Sequence, residues 1–101
     1  MLTLNKLELC GPSGMVRLTL SEALLLRAFA AAPEGRLAFE RLADIFGIEP
    51  NALGKSSLQV RMVRLRKKLY EVGVHGAVIE AIRNVGYQFF EKLTIVQAHE
   101  V

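Results

Sequence analysis

Residues 56–72 read Ser-Ser-Leu-Gln-Val-Arg-Met-Val-Arg-Leu-Arg-Lys-Lys-Leu-Tyr-Glu-Val, and the rest of the chain is organised around this stretch. At 100° per residue, Leu58, Met62, Leu65, Leu69 and Val72 fall on one side of a helix, at spacings of 4, 3, 4 and 3. That is the pattern of a helix buried along a single stripe. No Gly or Pro interrupts it, and Ser56 or Ser57 offers a hydroxyl to cap the first free N–H groups. Away from the stripe, Arg61, Arg64, Arg66, Lys67 and Lys68 place five of the chain's 13 basic residues within one helix, offset only by Glu71. The outward face also carries Ser57, Val60 and Val63. A helix that needed only solubility would gain from Glu there, through pairing at i+4. Short side chains among arginines suit a helix entering a major groove, where guanidinium groups reach guanine edges or phosphates.

Working outward, 101 residues at 51% hydrophobic content make one globular domain with one core. The net charge of +3 is unevenly spread: residues 1–54 carry five basic and six acidic side chains, residues 55–90 seven and two. A polyanion-binding face in the second half is the expectation. Cys10 is the single cysteine, so no intramolecular disulfide or multi-cysteine metal site can form, and a reducing cytoplasm is the simplest setting. No run approaches the length of a membrane span and no signal peptide is visible, which reads as a soluble chain.

In chain order, residues 2–9 alternate apolar and polar except at one step, and are expected to form one strand. Gly11-Pro12-Ser13-Gly14 is a turn and residues 15–18 a returning strand, giving an N-terminal hairpin over 2–18. Thr19-Leu20-Ser21-Glu22 has the spacing of a capping box. It opens a helix over about 20–32, with Leu24, Leu25, Ala28, Phe29 and Ala32 inward, stopped by Pro33-Glu34-Gly35. Leu37 and Ala38 add a short strand. A second helix covers 39–46, buries Leu42, Ile45 and Phe46, and ends at Gly47. Residues 48–55 form a loop into the basic helix, 57–72. Residues 72–76 break the chain, and 78–82 and 85–90 form a second hairpin. Its reversal lies at Arg83-Asn84, where Asn tolerates left-handed geometry and Gly86 relieves the return. The order is that of an α+β helix-turn-helix with a β-wing.

Three motifs then resemble a known family. They are Leu18-Thr19-x-x-Glu22-x-x-Leu25-Leu26, Val60-x-Met62-x-Arg64-Leu65-Arg66-Lys67-Lys68-Leu69, and Ile79-x-Ala81-Ile82-Arg83-x-Val85-Gly86-Tyr87-x-Phe89. In order and spacing they resemble the winged-helix effector domains of OmpR/PhoB-type bacterial response regulators, across roughly residues 4–90. The resemblance implies a recognition helix over 57–70 in the major groove of double-stranded DNA. It implies that Arg64 reads a base, that Ser57 and Val60 meet bases, and that Arg61 and Arg66 touch the backbone, with Lys67 and Lys68 adding to the basic surface. Arg83 matches the wing arginine of the minor groove, and Tyr87 a phosphate-contacting tyrosine. Loop 47–56 would be the part able to contact RNA polymerase, and two copies would sit head to tail on direct repeats.

Departures from the family pattern are Ser56 and Val63 where arginine occurs, Gln88 where a basic residue is common, and Asn84 for a wing glycine. Ala38 stands near a position that a Ser or Thr would cap. They imply weak binding by one copy or a shifted sequence preference. The family's four-stranded N-terminal sheet is expected here as a shortened hairpin, as in a chain taken from a longer protein or a minimal variant. No phosphoacceptor domain is visible in the chain. Leu93-Thr94-Ile95-Val96, within the tail 91–101, is apolar and β-prone, and residues 91–96 are expected to extend the wing strand or pair with a neighbouring copy's edge, a frayed end being the alternative.

A protein-contact winged helix is the competing reading, supported by apolar Val60 and Val63. An enzyme is not: His75 and His99 lie in a loop and the tail without a metal or nucleophile–base constellation. Gly11–Gly14 lacks the spacing and lysine of a phosphate loop, and no cofactor is implied.

Overall fold

In the computed structural model, which describes residues 2–96, the basic helix begins earlier than its sequence suggests. This helix, α3, spans Ala52–Glu71. Its cap is Asn51, whose Oδ1 accepts from the Gly54 N–H at 2.9 Å, so neither Ser56 nor Ser57 caps it. Residues 52–55, expected as loop, are therefore the first helical turn, and the true connection is 47–51. Gly54 hides the helix start in the sequence, because glycine usually weakens a helix. Here it is buried, and a Cβ would collide with the Glu49 carbonyl oxygen. The stripe itself is as expected: Leu58 is 1% exposed, and Met62, Leu65, Leu69 and Val72 are fully buried.

Two helices pack against that stripe's side of the molecule. Helix α1, Leu20–Ala31, starts with the expected capping box: Thr19 N–H donates to Glu22 Oε1 at 2.8 Å, and Glu22 N–H to Thr19 Oγ1 at 3.2 Å. Its buried face is Ala23, Leu25, Leu26 and Phe29, while Leu24, expected inward, is 46% exposed. Leu-Ser-Glu-Ala-Leu-Leu-Leu-Arg-Ala-Phe-Ala-Ala is apolar on several sides, so its periodicity alone does not choose a face. Helix α2 occupies Phe39–Phe46, with Leu42 and Ala43 buried and Ile45 and Phe46 half-buried. Ala38 provides no side-chain cap, and Gly47 ends the helix in the left-handed conformation at φ 66°.

The expected first strand is two. Strand β1, Leu2–Asn5, turns at the one non-alternating step, with Lys6 at φ 55°, into β2, Glu8–Gly11, which pairs antiparallel with β3, Gly14–Arg17. The hairpin is thus present, but the sheet is not shortened. Strand β7, Leu93–Val96, runs parallel to β1, pairing Leu2 with Leu93 and Leu4 with Ile95, and completes a four-stranded order β3-β2-β1-β7. This corrects the expectation for the tail, which neither lengthens the wing nor needs a neighbouring copy. Leu93 and Ile95 alternate towards the core, so pairing with β1 hides apolar surface that wing extension would leave wet.

The second sheet has the order β4-β6-β5, with β4 at Arg36–Ala38, β5 at Ile79–Ile82 and β6 at Gly86–Phe89. The wing is β5 and β6. At its reversal Asn84 takes φ 63° and Val85 N–H donates to the Ile82 carbonyl at 3.0 Å. Gly86 pairs with Ala38, and a Cβ on Gly86 would strike the Leu37 carbonyl oxygen. Phe29 and Phe89 stack at 5.6 Å between ring centroids, joining α1 to the wing strand.

Asn51→Ala should cost about 1 kcal/mol, and Ser56→Ala close to nothing. Thermal melts of both variants test this, and the reverse ranking would return the helix start to 56. Amide exchange at 93–96 should stay slow in a dilute sample, where no neighbouring copy is available to pair; fast exchange there would count against the β1–β7 ladder.

Candidate nucleic-acid interface

Opposite its buried stripe, α3 exposes Val60 at 51% and Val63 at 60%, with Arg64 and Lys67 beside them in solvent. Ser57 is half-buried on the flank. Arg83 stands exposed at the wing reversal, beside Val85 at 43% exposure. Among the described residues, Arg64, Lys67 and Arg83 have no hydrogen bond or ion pair. Neither Glu71 nor Glu80, the acidic residues of α3 and β5, pairs with Arg64 or Arg83. These free cations lie on a helix and a hairpin whose backbones are fixed by packing.

The other four expected contact residues are engaged inside the molecule. Lys68 Nζ sits 2.7 Å from Glu22 Oε1, the same oxygen that accepts the Thr19 N–H, so one carboxylate caps α1 and ties it to α3. Arg66 Nε donates to the Ile79 carbonyl at 2.9 Å, joining α3 to β5. The Arg61 guanidinium lies 4.7 Å from the centroid of the Phe46 ring, and its Nε is buried without a partner among the described residues. Tyr87 belongs to the core at 4% exposure and meets Phe39 edge-on at 6.4 Å. Lys55, near the start of α3, lies over the Phe39 ring, 4.6 Å from its centroid. Cation–π contacts of this kind contribute about 0.5–1 kcal/mol at exposed sites, and more when desolvated.

Neither Glu22–Lys68 nor Lys55–Phe39 is marked in the local sequence. The residues of these pairs lie far apart in sequence, and nothing local reports their meeting. Gln88, which replaces a basic residue of the family pattern, is also occupied: it donates to the Glu34 carbonyl at 2.9 Å and accepts from Arg36 Nε at 3.2 Å. Between α1 and α3 a cleft of about 380 Å³ is lined by Glu22, Arg61, Arg64, Lys67, Lys68 and Glu71, a mixed-charge surface with cations in excess.

Among the described residues, no group of three or more His, Cys, Asp or Glu could hold a metal ion. His75 is exposed, and His99 lies outside the described residues. No helix among the described residues is long and apolar enough to cross a membrane.

A three-helix, two-sheet body presenting unpaired cations from one helix and one hairpin tip defines a winged-helix domain of the nucleic-acid-binding class. The family model described as "Transcriptional regulatory protein, C terminal" matches residues 13–89, and the chain belongs to that family, the effector domains of OmpR/PhoB type. It is a DNA-binding, transcription-regulating family of two-component systems and not an enzymatic one. Among solved structures the chain is similar to the C-terminal domain of the nisin resistance regulator NsrR, a lantibiotic response regulator. That similarity has 26% identity and a TM-score of 0.61, over 83% of this chain and 84% of that one. No curated protein matches the chain significantly.

Burial holds the Tyr87 phenol above its ordinary value of 10.0, with Arg66 opposing the shift electrostatically. The folded state then keeps a proton that the unfolded chain gives up near pH 10. This contribution to stability is fully present below that pH and is lost as pH rises through the folded value. Tyr87→Phe should accordingly flatten the alkaline fall of Tm in a pH series from about pH 9 upward. An identical alkaline limb in parent and variant would exclude Tyr87 as its source.

Proposed function

We propose that the chain binds double-stranded DNA with sequence preference, α3 lying in the major groove and the wing tip in the minor groove. The observation that carries this is the division of α3: one stripe is completely buried, while the opposite face holds unpaired Arg64 and Lys67 next to Val60 and Val63. A guanidinium at Arg64 can donate two parallel bonds to guanine O6 and N7, and Val60, with Ser57 at the flank, leaves room for base edges. Lys67 and Arg83 supply charge to the backbone and to the strong negative potential of the minor groove. Arg61, Arg66, Lys68 and Tyr87 already have internal contacts, so the direct contacts to DNA fall mainly to the other five residues.

With few free cations per module, one copy covers one half-site weakly. Two copies arranged head to tail on a direct repeat would occupy paired sites cooperatively. RNA polymerase contact falls to connection 47–51 and the first turn of α3, where Leu53 stands 83% exposed. The bacterial cytoplasm is the corresponding setting. A second reading, a winged helix used for protein contact, is favoured by the exposure of Val60 and Val63 and by the internal engagement of four expected contact residues. Counterion release separates the two, because affinity for DNA falls steeply with salt and an apolar protein contact hardly responds.

Selection from random duplex DNA should enrich a direct repeat, and recovery without enrichment would remove sequence preference. Arg64→Ala should relax preference at one base position, losing roughly 1–3 kcal/mol of discrimination with the melting temperature unchanged. Arg83→Ala should weaken all sequences alike, or A·T-rich flanks most, and lower the salt slope by about one contact's share. Unaltered base preferences in Arg64→Ala, together with a markedly lower Tm, would show a structural arginine instead.

A further inference from the structure

We infer that Arg66 is a positioning residue, acting on DNA through the wing whose root it fastens to the recognition helix and not by touching the duplex. The inference rests on the DNA-binding reading above and changes the role that family resemblance gives this arginine.

Arg66 Nε donates to the carbonyl of Ile79, the first residue of β5, at 2.9 Å. Among the described residues this is the one hydrogen bond from an α3 side chain to a wing strand. The positive charge of the same guanidinium opposes the rise that burial imposes on the Tyr87 phenol, on β6. On the opposite side the wing is held by α2 and β4: Phe39 N–H donates to the Val85 carbonyl at 3.0 Å, β4 pairs with β6, and Phe39 meets Tyr87. Remove the Arg66 contact and the wing keeps its attachment to α2 but loses its hydrogen-bonded tie to α3.

Geometry makes that tie consequential. Four extended residues reach roughly 13 Å, so a tilt of about 10° at the root moves the tip by roughly 2 Å. A displacement of that size takes Arg83 out of hydrogen-bonding range of any fixed partner. Arg66 thus couples the spacing between a major-groove reader, Arg64, and a minor-groove reader, Arg83. Its Nε is committed and the residue is half-buried, which leaves its charge poorly presented to a phosphate.

Two substitutions divide the donor from the charge. In Arg66→Gln the amide nitrogen occupies the position of Nε, so the bond to Ile79 can be kept while the charge is lost. In Arg66→Lys the charge is kept, but a methylene stands where Nε was. Both are made in the full chain, alone and combined with Arg83→Ala. Affinity is measured at two salt concentrations below the melting temperature, on the duplex recovered by selection, or on random duplex when none is enriched.

The expected result is that Arg66→Gln stays near the parent in affinity and salt slope. Arg66→Lys should lose roughly threefold or more, and most of that loss should vanish in the Arg83→Ala background, as for two residues acting through one element. If lysine retains affinity and glutamine loses it, Arg66 contacts phosphate directly and the inference is overturned. A lysine loss of the same size with and without Arg83 would assign Arg66 to general packing, which also overturns it. A parent that binds no duplex at all would instead remove the DNA-binding reading, and the inference with it.

Discussion

The structure depends on keeping one stripe of one helix dry. Leu58, Met62, Leu65, Leu69 and Val72 are at most 1% exposed along α3, while Val60, Val63, Arg64 and Lys67 face solvent a half-turn away. Each buried side chain contributes roughly 1.5–3 kcal/mol, so rotation of this helix about its axis would expose the centre of the core. Orientation of the cationic face is therefore enforced from behind. Leu25, Leu26 and Phe29 of α1, Leu2, Leu4 and Leu9 of the first sheet, and Ile79, Tyr87 and Phe89 of the wing form the surrounding wall.

Polar contacts act at the borders of that stripe, where water is partly excluded and direction matters more than area. Lys68 reaches Glu22 on one flank and Arg66 reaches Ile79 on the other. Arg61 and Lys55 lie over Phe46 and Phe39, near the two ends of α2. The basic residues of α3 are thereby divided. Those pointing straight out are free to meet a polyanion, and those on the flanks hold the helix to its neighbours. A count of lysines and arginines overstates the charge available to a partner, because flanking cations are already neutralised or shielded.

Strand β7 solves a different problem. Without it, β1 would present an unpaired edge beside Leu2 and Leu4, which is both a loss of hydrogen bonds and an invitation to aggregation. The chain returns from the wing through residues 90–92 and lays Leu93–Val96 parallel to β1. A sheet built locally from the N-terminus is in this way closed by residues from the far end of the sequence. The two sheets become connected covalently at β6–β7 as well as through the core.

Much of the architecture was legible because it follows from short-range physics. The 4-3-4-3 stripe, the Thr19–Glu22 capping box, the left-handed Gly47 and Asn84, and the wing hairpin each depend on neighbours within a few residues. The class of partner was legible for the same reason, since five cations and two valines on one helix need only its period to be placed. Other features were decided in three dimensions. An almost uniformly apolar α1 chooses its buried face by what it meets, and Leu24 accordingly faces out. Gly54 joins a helix because a carbonyl from residue 49 needs the space. The roles of Arg66, Lys68 and Tyr87 were set by Ile79, Glu22 and Phe39, partners 13 to 48 positions away. Residues 93–96 announced a strand by composition, but only β1 could give them their register. Local sequence carries periods, caps and turns, because these are energies of adjacent residues. Which cation faces the ligand and which faces the protein depends on what tertiary packing brings within about 3 Å of it.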